Sequence, residues 1–488
     1  MGEVQGTLFP LEFNRSLKLR STPESLTAEG GAVLLREVGE RLGLWKLLEK
    51  GLSDPRDQDL ITHPFGELLR TAVLLAAQGW SRQSDVDFLR RDPAFRLAVS
   101  KRRGESPLKI RRHGREPEGL ASQATLSRLM AALGQLANRT ALLQVLCSWA
   151  AHRAGLSSSR PQDEVTLDLD SLPIEVHGHQ PGSTHNGHYH CRCFHPLVVS
   201  WEFGDFLGGK LREGNVHTST DAVDFILPYL DWARALARRV WLRMDAGFPS
   251  EPFLNKLEKG RFLYVARLSS NARLERMAWP HVDRIADTAE PEDRTHTVEL
   301  FYQARSWSRP RRVVLVIEER PLELLPHYFF LVTNATEEEE DSLDLVQRYR
   351  QRGATEKDYG EWTNALEVAL SSTNRPKETY RGERPRERTV PVDSFAVNEA
   401  ALLLSMVAAN LMHAGRLLAQ HPNAQLWGRE TFRRLVLKAP GRVARSSRYV
   451  TLWIQERWAP HWSRIGGVLQ HLPSARGSPS FQALPLPA

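Results

Sequence analysis

Val165 to Gly178 reads VTLDLDSLPIEVHG, and its first six residues alternate as a β-strand does. Val165, Leu167 and Leu169 point to one side of that strand; Thr166, Asp168 and Asp170 point to the other. Two carboxylates on one strand face are expensive to bury unless positive charge meets them. The strand therefore belongs to a sheet with an apolar core on one face and cationic partners on the other.

Further along, RRVWLRMDAGFPSEPFLNKLEKG (Arg238–Gly260) reads as a strand running into Asp245, a glycine-containing turn, and a helix from about Ser250 to Gly260. An Asp at the C-terminal end of a strand stands where α/β architectures place functional groups. RFLYVARLS, RRVVLVIEE and HYFFLVTN supply further strands. After an acidic linker, SLDLVQRYRQRGATEKDYGEWTNAL (Ser342–Leu366) reads as one long helix, on which Tyr349, Arg352 and Glu356 share a face at i, i+3 and i+7. Gly353 inside that helix costs about 1 kcal/mol relative to Ala, which suggests close approach by another backbone or a ligand. The bland alternative is an exposed Arg352–Glu356 pair worth a few tenths of a kcal/mol.

The flanks have a different texture. From Leu26 to Gly155 the periodicity is helical, as in LLREVGERLGLWKLLEKG and FGELLRTAVLLAAQGW. The run KRRGESPLKIRRHGR interrupts it, with Lys101, Arg102, Arg103, Lys109, Arg111, Arg112 and Arg115 facing only Glu105. Such a run is either a solvated loop or an arm that contacts phosphates. ASQATLSRLMAALGQLA follows as a helix entered through Ser122 or Thr125. The C-terminal zone from about Asn398 reads as helices, basic through Arg433, Arg434, Lys438, Arg442, Arg445 and Arg448, and ends in a Pro- and Ser-containing tail expected to be disordered.

Composition sets the outer limits. A chain of 488 residues, 41% hydrophobic, buries a substantial core and divides into several domains. A net charge of +7, from 65 Lys+Arg against 58 Asp+Glu, suits a polyanionic partner such as nucleic acid. Three cysteines make no disulfide framework, the N-terminus shows no secretory h-region, and Ala400–Met412, the most apolar stretch, is too short to span a bilayer. The expectation is a cytoplasmic protein, associated with the nucleoid, with no membrane partner.

An Asp on a first strand, an Asp ending a later strand and a Glu on a later helix are the parts of a three-carboxylate, two-metal site for phosphoryl transfer, since Mg²⁺ prefers hard oxygen ligands. The chain resembles the DDE transposases of bacterial insertion sequences, specifically the group numbered thirteen-eighty, related to the superfamily marked by Tyr-x2-Arg-x3-Glu and more distantly to piggyBac. The matching residues, in the order that group shows, are DLDS, GHQPGSTHNGHYHCRCFHPL, LREGN, RMDAGF, YFFLVTN, YRQRGATE and FAVNEAALLLSMVAANL, flanked by RRDPAFRLAV, LASQATLSR and ETFRRLVLKAPGRV.

The resemblance implies an α+β chain with an RNase H-like mixed-sheet core over residues 161–415, interrupted by a β-rich insertion at about 271–326. A helical DNA-binding region, 1–160, would precede it and a helical region, 416–488, would follow. It implies Asp170, Asp245 and Glu356 as ligands of two Mg²⁺ ions, with Mn²⁺ able to substitute. Asp168 shares the strand face with Asp170 and stays open as the first ligand, although Ser171 after Asp170 resembles the Asp-Ser/Thr pattern of relatives. Tyr349 and Arg352 would contact transposon-end DNA near the scissile phosphate, with Lys101, Arg102, Arg103, Arg111 and Arg112 binding DNA elsewhere. Where the superfamily has a Lys seven residues beyond the Glu, this chain has Thr363. The implied partner is double-stranded DNA, held by a homodimer. The implied function is cleavage at terminal inverted repeats and strand transfer; a nuclease without joining activity and an inactive DNA-binding remnant are the alternatives.

HGHQPGSTHNGHYHCRCFHP (His177–Pro196) packs six histidines and two cysteines into the turn and strand after the first acidic strand. Zinc needs four converging ligands, and its strong sequence signal is two ligand pairs separated by a long loop. Cys191-x-Cys193 is too tight for that pairing, and alternation separates His188, His190, Arg192 and Phe194 from Tyr189, Cys191, Cys193 and His195. The expectation is a glycine-assisted turn without zinc, with His177, Asn186 and His188 on the DNA side.

Overall fold

The computed structural model describes residues 8–9, 11–59, 61–101, 103–104, 119–176, 178, 180–286, 294–320, 326–372, 377–378, 389–390, 393–420 and 426–472. The alternating strand is β1 (Gln162–Ser171), and it lies inside a mixed eight-stranded sheet. Its companions are β2 (Leu197–Trp201), β3 (Phe206–Lys210), β4 (Ala237–Met244), β5 (Leu263–Leu268), β6 (Arg294–Tyr302), β7 (Arg311–Glu319) and β8 (His327–Thr333). The order across the sheet is β6-β7-β8-β5-β4-β1-β2-β3. β1, β4 and β5 are parallel neighbours; the other pairings are antiparallel.

Parallel neighbours need crossover connections, and helices supply them. Helix α1 (Ala222–Arg234) leads into β4, α2 (Glu251–Lys259) joins β4 to β5, and α3 (Ala272–Ala286) follows β5. All three pack on the face carrying Val165, Leu167, Leu169, Leu242, Met244 and Ala266. The opposite face is covered by α4 (Ser342–Arg350) and α5 (Arg352–Leu366), with Leu345 and Val346 set against Trp241, Val265 and Leu331. The two faces read from the strand's alternation are thus both covered, one by apolar helices and one by the helices that bear Tyr349, Arg352 and Glu356.

Several boundaries differ from expectation. Among its described residues the segment 271–326 contributes one helix and two strands, β6 and β7, which extend the sheet beyond β8 in continuous antiparallel register. Ser342–Leu366 is two helices meeting at Gln351, where the Arg243 guanidinium donates to the Arg348 carbonyl at 2.9 Å and to the Gln351 side chain at 3.1 Å. The apolar stretch 400–412 is the middle of a 26-residue helix, α6 (Ser394–Ala419), started by Asp393, which accepts from the amides of Phe395 and Ala396. Its length and composition would cross a membrane, but 83% of its apolar window is buried inside the protein. There it packs with the N-terminal helices in one core that also holds Leu35, Leu74, Leu142 and Ile465. N- and C-terminal regions therefore share a core. Asn410 of α6 also bonds both backbone groups of Phe206 at 2.8 Å, covering the open edge of β3.

The C-terminal zone contains an unexpected hairpin, β9 (Gly441–Arg445) with β10 (Val450–Ile454), which pairs with a two-residue strand at Leu26–Thr27. The tail from 473 lies outside the described residues.

Candidate active site

β1 delivers two carboxylates to the helix-covered face, and the structure gives them different partners. Asp168 receives two bonds from Arg243 of β4, Nε to Oδ1 and Nη2 to Oδ2, each 2.7 Å, and a third at 3.0 Å from the Thr355 hydroxyl of α5. Both charged side chains are 1% exposed. Asp168 thus accepts three bonds, two tying β1 to β4 and one, from Thr355, tying α5 to the sheet. Arg348 of α4 adds to that clamp, bonding Glu164 at 2.9 Å and Glu340 at 2.8 Å while lying 4.3 Å from the centre of the Trp241 ring.

Asp170, two residues on, lies at the edge of the covered zone. Arg352 Nη2 donates to its Oδ2 at 2.8 Å, and the Ser171 amide donates to Oδ1 at 2.8 Å. Arg352 also pairs with Glu356, one turn later on α5, whose side chain is 53% exposed. Burial pushes the Asp170 pKa up to about 6; Arg352 and the Ser171 amide oppose the shift, and the charges of Asp245 and Glu356 add to it. Burial works against the Arg352 charge, but Asp170, Glu356, Tyr349 and Asp245 outweigh it and raise its pKa. Three carboxylates thus act on one guanidinium.

Sheet register locates Asp245 and adds a residue the sequence did not single out. Leu169, Met244 and Ala266 form one row across β1, β4 and β5. The next row along the chain is Asp170, Asp245 and Arg267, which by alternation faces α4 and α5. Arg267 is exposed, and its guanidinium lies 5.4 Å from the centre of the Phe329 ring. Phe329 in turn lies 6.3 Å from Tyr349. Burial holds the Tyr349 hydroxyl above its usual pKa, with Arg352 and Arg267 opposing and Asp245 and Glu356 adding. Tyr349, Arg352 and Glu356 are therefore brought together with Asp170 and Asp245, and Arg267 joins them.

From the histidine-rich stretch the residue that senses the carboxylates is Tyr189. Burial raises its pKa first, and the Asp170 and Asp245 charges raise it further. Asn186 braces the loop, its amide donating to the Gly214 carbonyl at 2.6 Å while its oxygen accepts from the His188 amide at 2.9 Å. His177 lies outside the described residues. Gly353 is exposed, and a Cβ there would meet nothing within 4 Å, so no backbone of this chain requires it. Thr363 bonds its own helix, at the carbonyls of Tyr359 and Gly360.

The basic run is only partly described. Lys101 pairs with Glu49 at 3.1 Å, and Arg103 donates to backbone carbonyls of the β9–β10 turn. Arg102, Arg111 and Arg112 lie outside the described residues.

The chemistry of Asp170, Asp245 and Glu356, all hard carboxylate oxygens, suits a divalent cation such as Mg²⁺. Among the described residues no group of three or more His, Cys, Asp or Glu is gathered closely enough to hold a metal ion; in this arrangement Arg352 supplies the positive charge between Asp170 and Glu356.

The chain matches none of the curated proteins compared with it. A family model described as transposase DDE domain, group 1, matches residues 9–379, a span that includes the sheet and every residue gathered on its helix-covered face. The chain belongs to that family of transposases, enzymes of phosphoryl transfer on DNA.

Proposed function

We propose that this protein is an insertion-sequence transposase of the thirteen-eighty group, distantly related to piggyBac, with an RNase H-like core. In this reading it binds the terminal inverted repeats of its element, cleaves them, and joins the freed 3′-hydroxyls to target DNA. The observation that carries the reading is that Asp170, Asp245 and Arg267, each one position past the last paired row of three parallel strands, gather about the helix that bears Arg352 and Glu356. Acidic and basic side chains converging at one sheet end suit a phosphodiester, whose charge must be both neutralised and oriented.

Asp170, Asp245 and Glu356 would hold the divalent ions, Mg²⁺ or Mn²⁺, which when bound supply neutralisation of the attacked phosphate. Arg352 then turns from its carboxylate partners toward a non-bridging phosphate oxygen, within reach because it stands one turn from Glu356. Arg267 holds a neighbouring phosphate, and Tyr349 packs between the two arginines. Asp168 is a positioning residue through Arg243 and Thr355. The protein works in the cytoplasm on the nucleoid, as a homodimer that brings two DNA ends together.

The test is an assay of full-length protein on DNA carrying the inverted repeats that flank its gene, with and without Mg²⁺, read for nicking and for joining to a second duplex. Nicking and joining, both dependent on the metal, support the reading. Nicking alone indicates a nuclease, and binding without either indicates a remnant.

A further inference from the structure

The β9–β10 hairpin lies C-terminal to the family-matched residues and presents a face that the catalytic residues do not use. Register sets Arg442 opposite Trp453 and Ala444 opposite Thr451, and the Ser446 amide donates to the Tyr449 carbonyl at 2.8 Å to close the turn. Tyr449, Thr451 and Trp453 therefore share a side with Arg442. Tyr449 is 72% exposed and Trp453 59% exposed. Large amphipathic rings left in water on one sheet face mark a surface that a partner covers.

The charge around those rings is one-sided. Arg442, Arg445 and Arg448 are all exposed on the hairpin, and among the described residues the ion pair they make is Arg442 with Glu24, at 2.9 Å. A distant segment adds another cation: Arg103 donates to the carbonyls of Ser447 at 3.0 Å and Tyr449 at 3.3 Å, and Arg445 donates to the Arg103 carbonyl. Those acceptors are neutral carbonyls, and among the described residues no ion pair offsets the charge of Arg103. A second copy of this chain, related by a two-fold axis, would set these arginines against one another. A polyanion would not. Beyond Arg442 the hairpin runs as two strands alone, a width the DNA major groove admits.

We propose that this hairpin is a second duplex-DNA contact surface, separate from the active site, in which Arg448 at the turn and Arg442 on the ring-bearing face meet phosphates while Tyr449 and Trp453 pack against sugar and base edges. It deepens the transposase reading and rests on it only for the choice of DNA as the polyanion. Arg103, far from the C-terminal arginines in sequence, then contributes to the same surface through its contact with the turn.

The test is fluorescence anisotropy of full-length protein with a labelled random-sequence duplex of about 40 base pairs, without metal, across a salt series. Arg448→Ala combined with Tyr449→Ala should weaken binding about tenfold and lower the slope of log affinity against log salt by about one. Trp453→Ala should weaken binding without changing the slope, because it carries no charge. The assay contains no metal and reads binding alone, which separates this surface from metal-dependent cleavage; hairpin variants that lose affinity support the proposal even if the wild type proves unable to cleave DNA. Arg448→Gln alone, with a thermal midpoint like that of the wild type, guards against misfolding and should still lower the slope. Unchanged affinity and slope in all hairpin variants would overturn the proposal, as would a self-association abolished by Trp453→Ala with DNA binding intact.

Discussion

Asp168 and Arg243 form a bidentate ion pair, two bonds of 2.7 Å between side chains that are each 1% exposed, whereas Asp170 on the same strand face meets a guanidinium it shares with Glu356. Two acids with the same alternation thereby take different roles. One fastens helix to sheet, and the other faces the end of the sheet where Asp245 and Arg267 also stand.

Removing the first acid should damage stability. Asp168→Ala leaves Arg243 buried without its counter-charge, and breaking a buried pair from one side costs about 3–5 kcal/mol. Urea unfolding of the metal-free protein measures this. A midpoint equal to that of the wild type would show that the pair does not hold α5 in place.

Stability should respond to pH through two buried groups with opposite signs. Burial holds His413 well below its usual 6.5, and Arg153, Arg416 and Arg429 push it lower still against its bond with the Phe203 carbonyl. Below pH 6.5 the unfolded chain takes a proton that folded His413 refuses, so stability falls as pH drops. Asp170 has a folded value of about 6 against 3.8 unfolded. Its favourable contribution is full below 3.8 and is lost as pH rises through about 6, a change of about 3 kcal/mol. Between pH 7 and 5, His413→Gln should flatten the loss of stability on acidification, and Asp170→Asn should steepen it. Thermal melts giving either variant the wild-type pH slope would contradict the assignment.

Arg267→Ala should slow cleavage about tenfold or more with little change in stability, since the side chain is exposed and the proposed mechanism has it hold a phosphate. Arg267→Lys should recover part of the rate, because a cation is retained without the planar fork. Equal rates for wild type and Arg267→Ala would take this residue out of the site.

Arg352→Ala should lower the rate of cleavage and joining more than it lowers affinity for end DNA, as one lost phosphate contact is a small part of a many-contact electrostatic attraction. Arg111→Ala with Arg112→Ala should do the reverse, weakening binding and flattening its salt dependence. Binding and turnover measured together over a salt series distinguish the two; Arg352→Ala behaving like the double variant would make α5 a general DNA-contacting surface.

What could be read from the chain alone follows from the range of each signal. Alternation over Val165–Asp170 is local, so the two faces of β1 were legible, as was the need for positive charge near the acids. The identity of that charge was not, because Arg243 reaches Asp168 only through parallel pairing of β1 with β4. Arg267 was hidden for the same reason: its place beside Asp245 exists only in the sheet register. Tyr349, Arg352 and Glu356 sit on adjacent turns and were legible together, while the junction at Gln351, where Arg243 bonds from another strand, was not. The ends of α6 were missed because Asn398, Glu399, His413 and Arg416 interrupt the apolar run; Arg416 is satisfied there by Asp358 at 3.3 Å and Glu361 at 3.2 Å. The β9–β10 hairpin was obscured by its own arginines and serines, which read as part of a basic helical zone.

The carboxylate assignment itself is best tested by comparing metal-dependent strand cleavage by Asp170→Asn, Asp245→Asn, Glu356→Gln and the wild type on DNA carrying the flanking inverted repeats, with binding measured on the same samples. Each variant should bind end DNA nearly as the wild type does yet cleave at least about a hundredfold more slowly in Mg²⁺ or Mn²⁺. Cleavage at the wild-type rate by any of the three would contradict the assignment of that carboxylate to the active site.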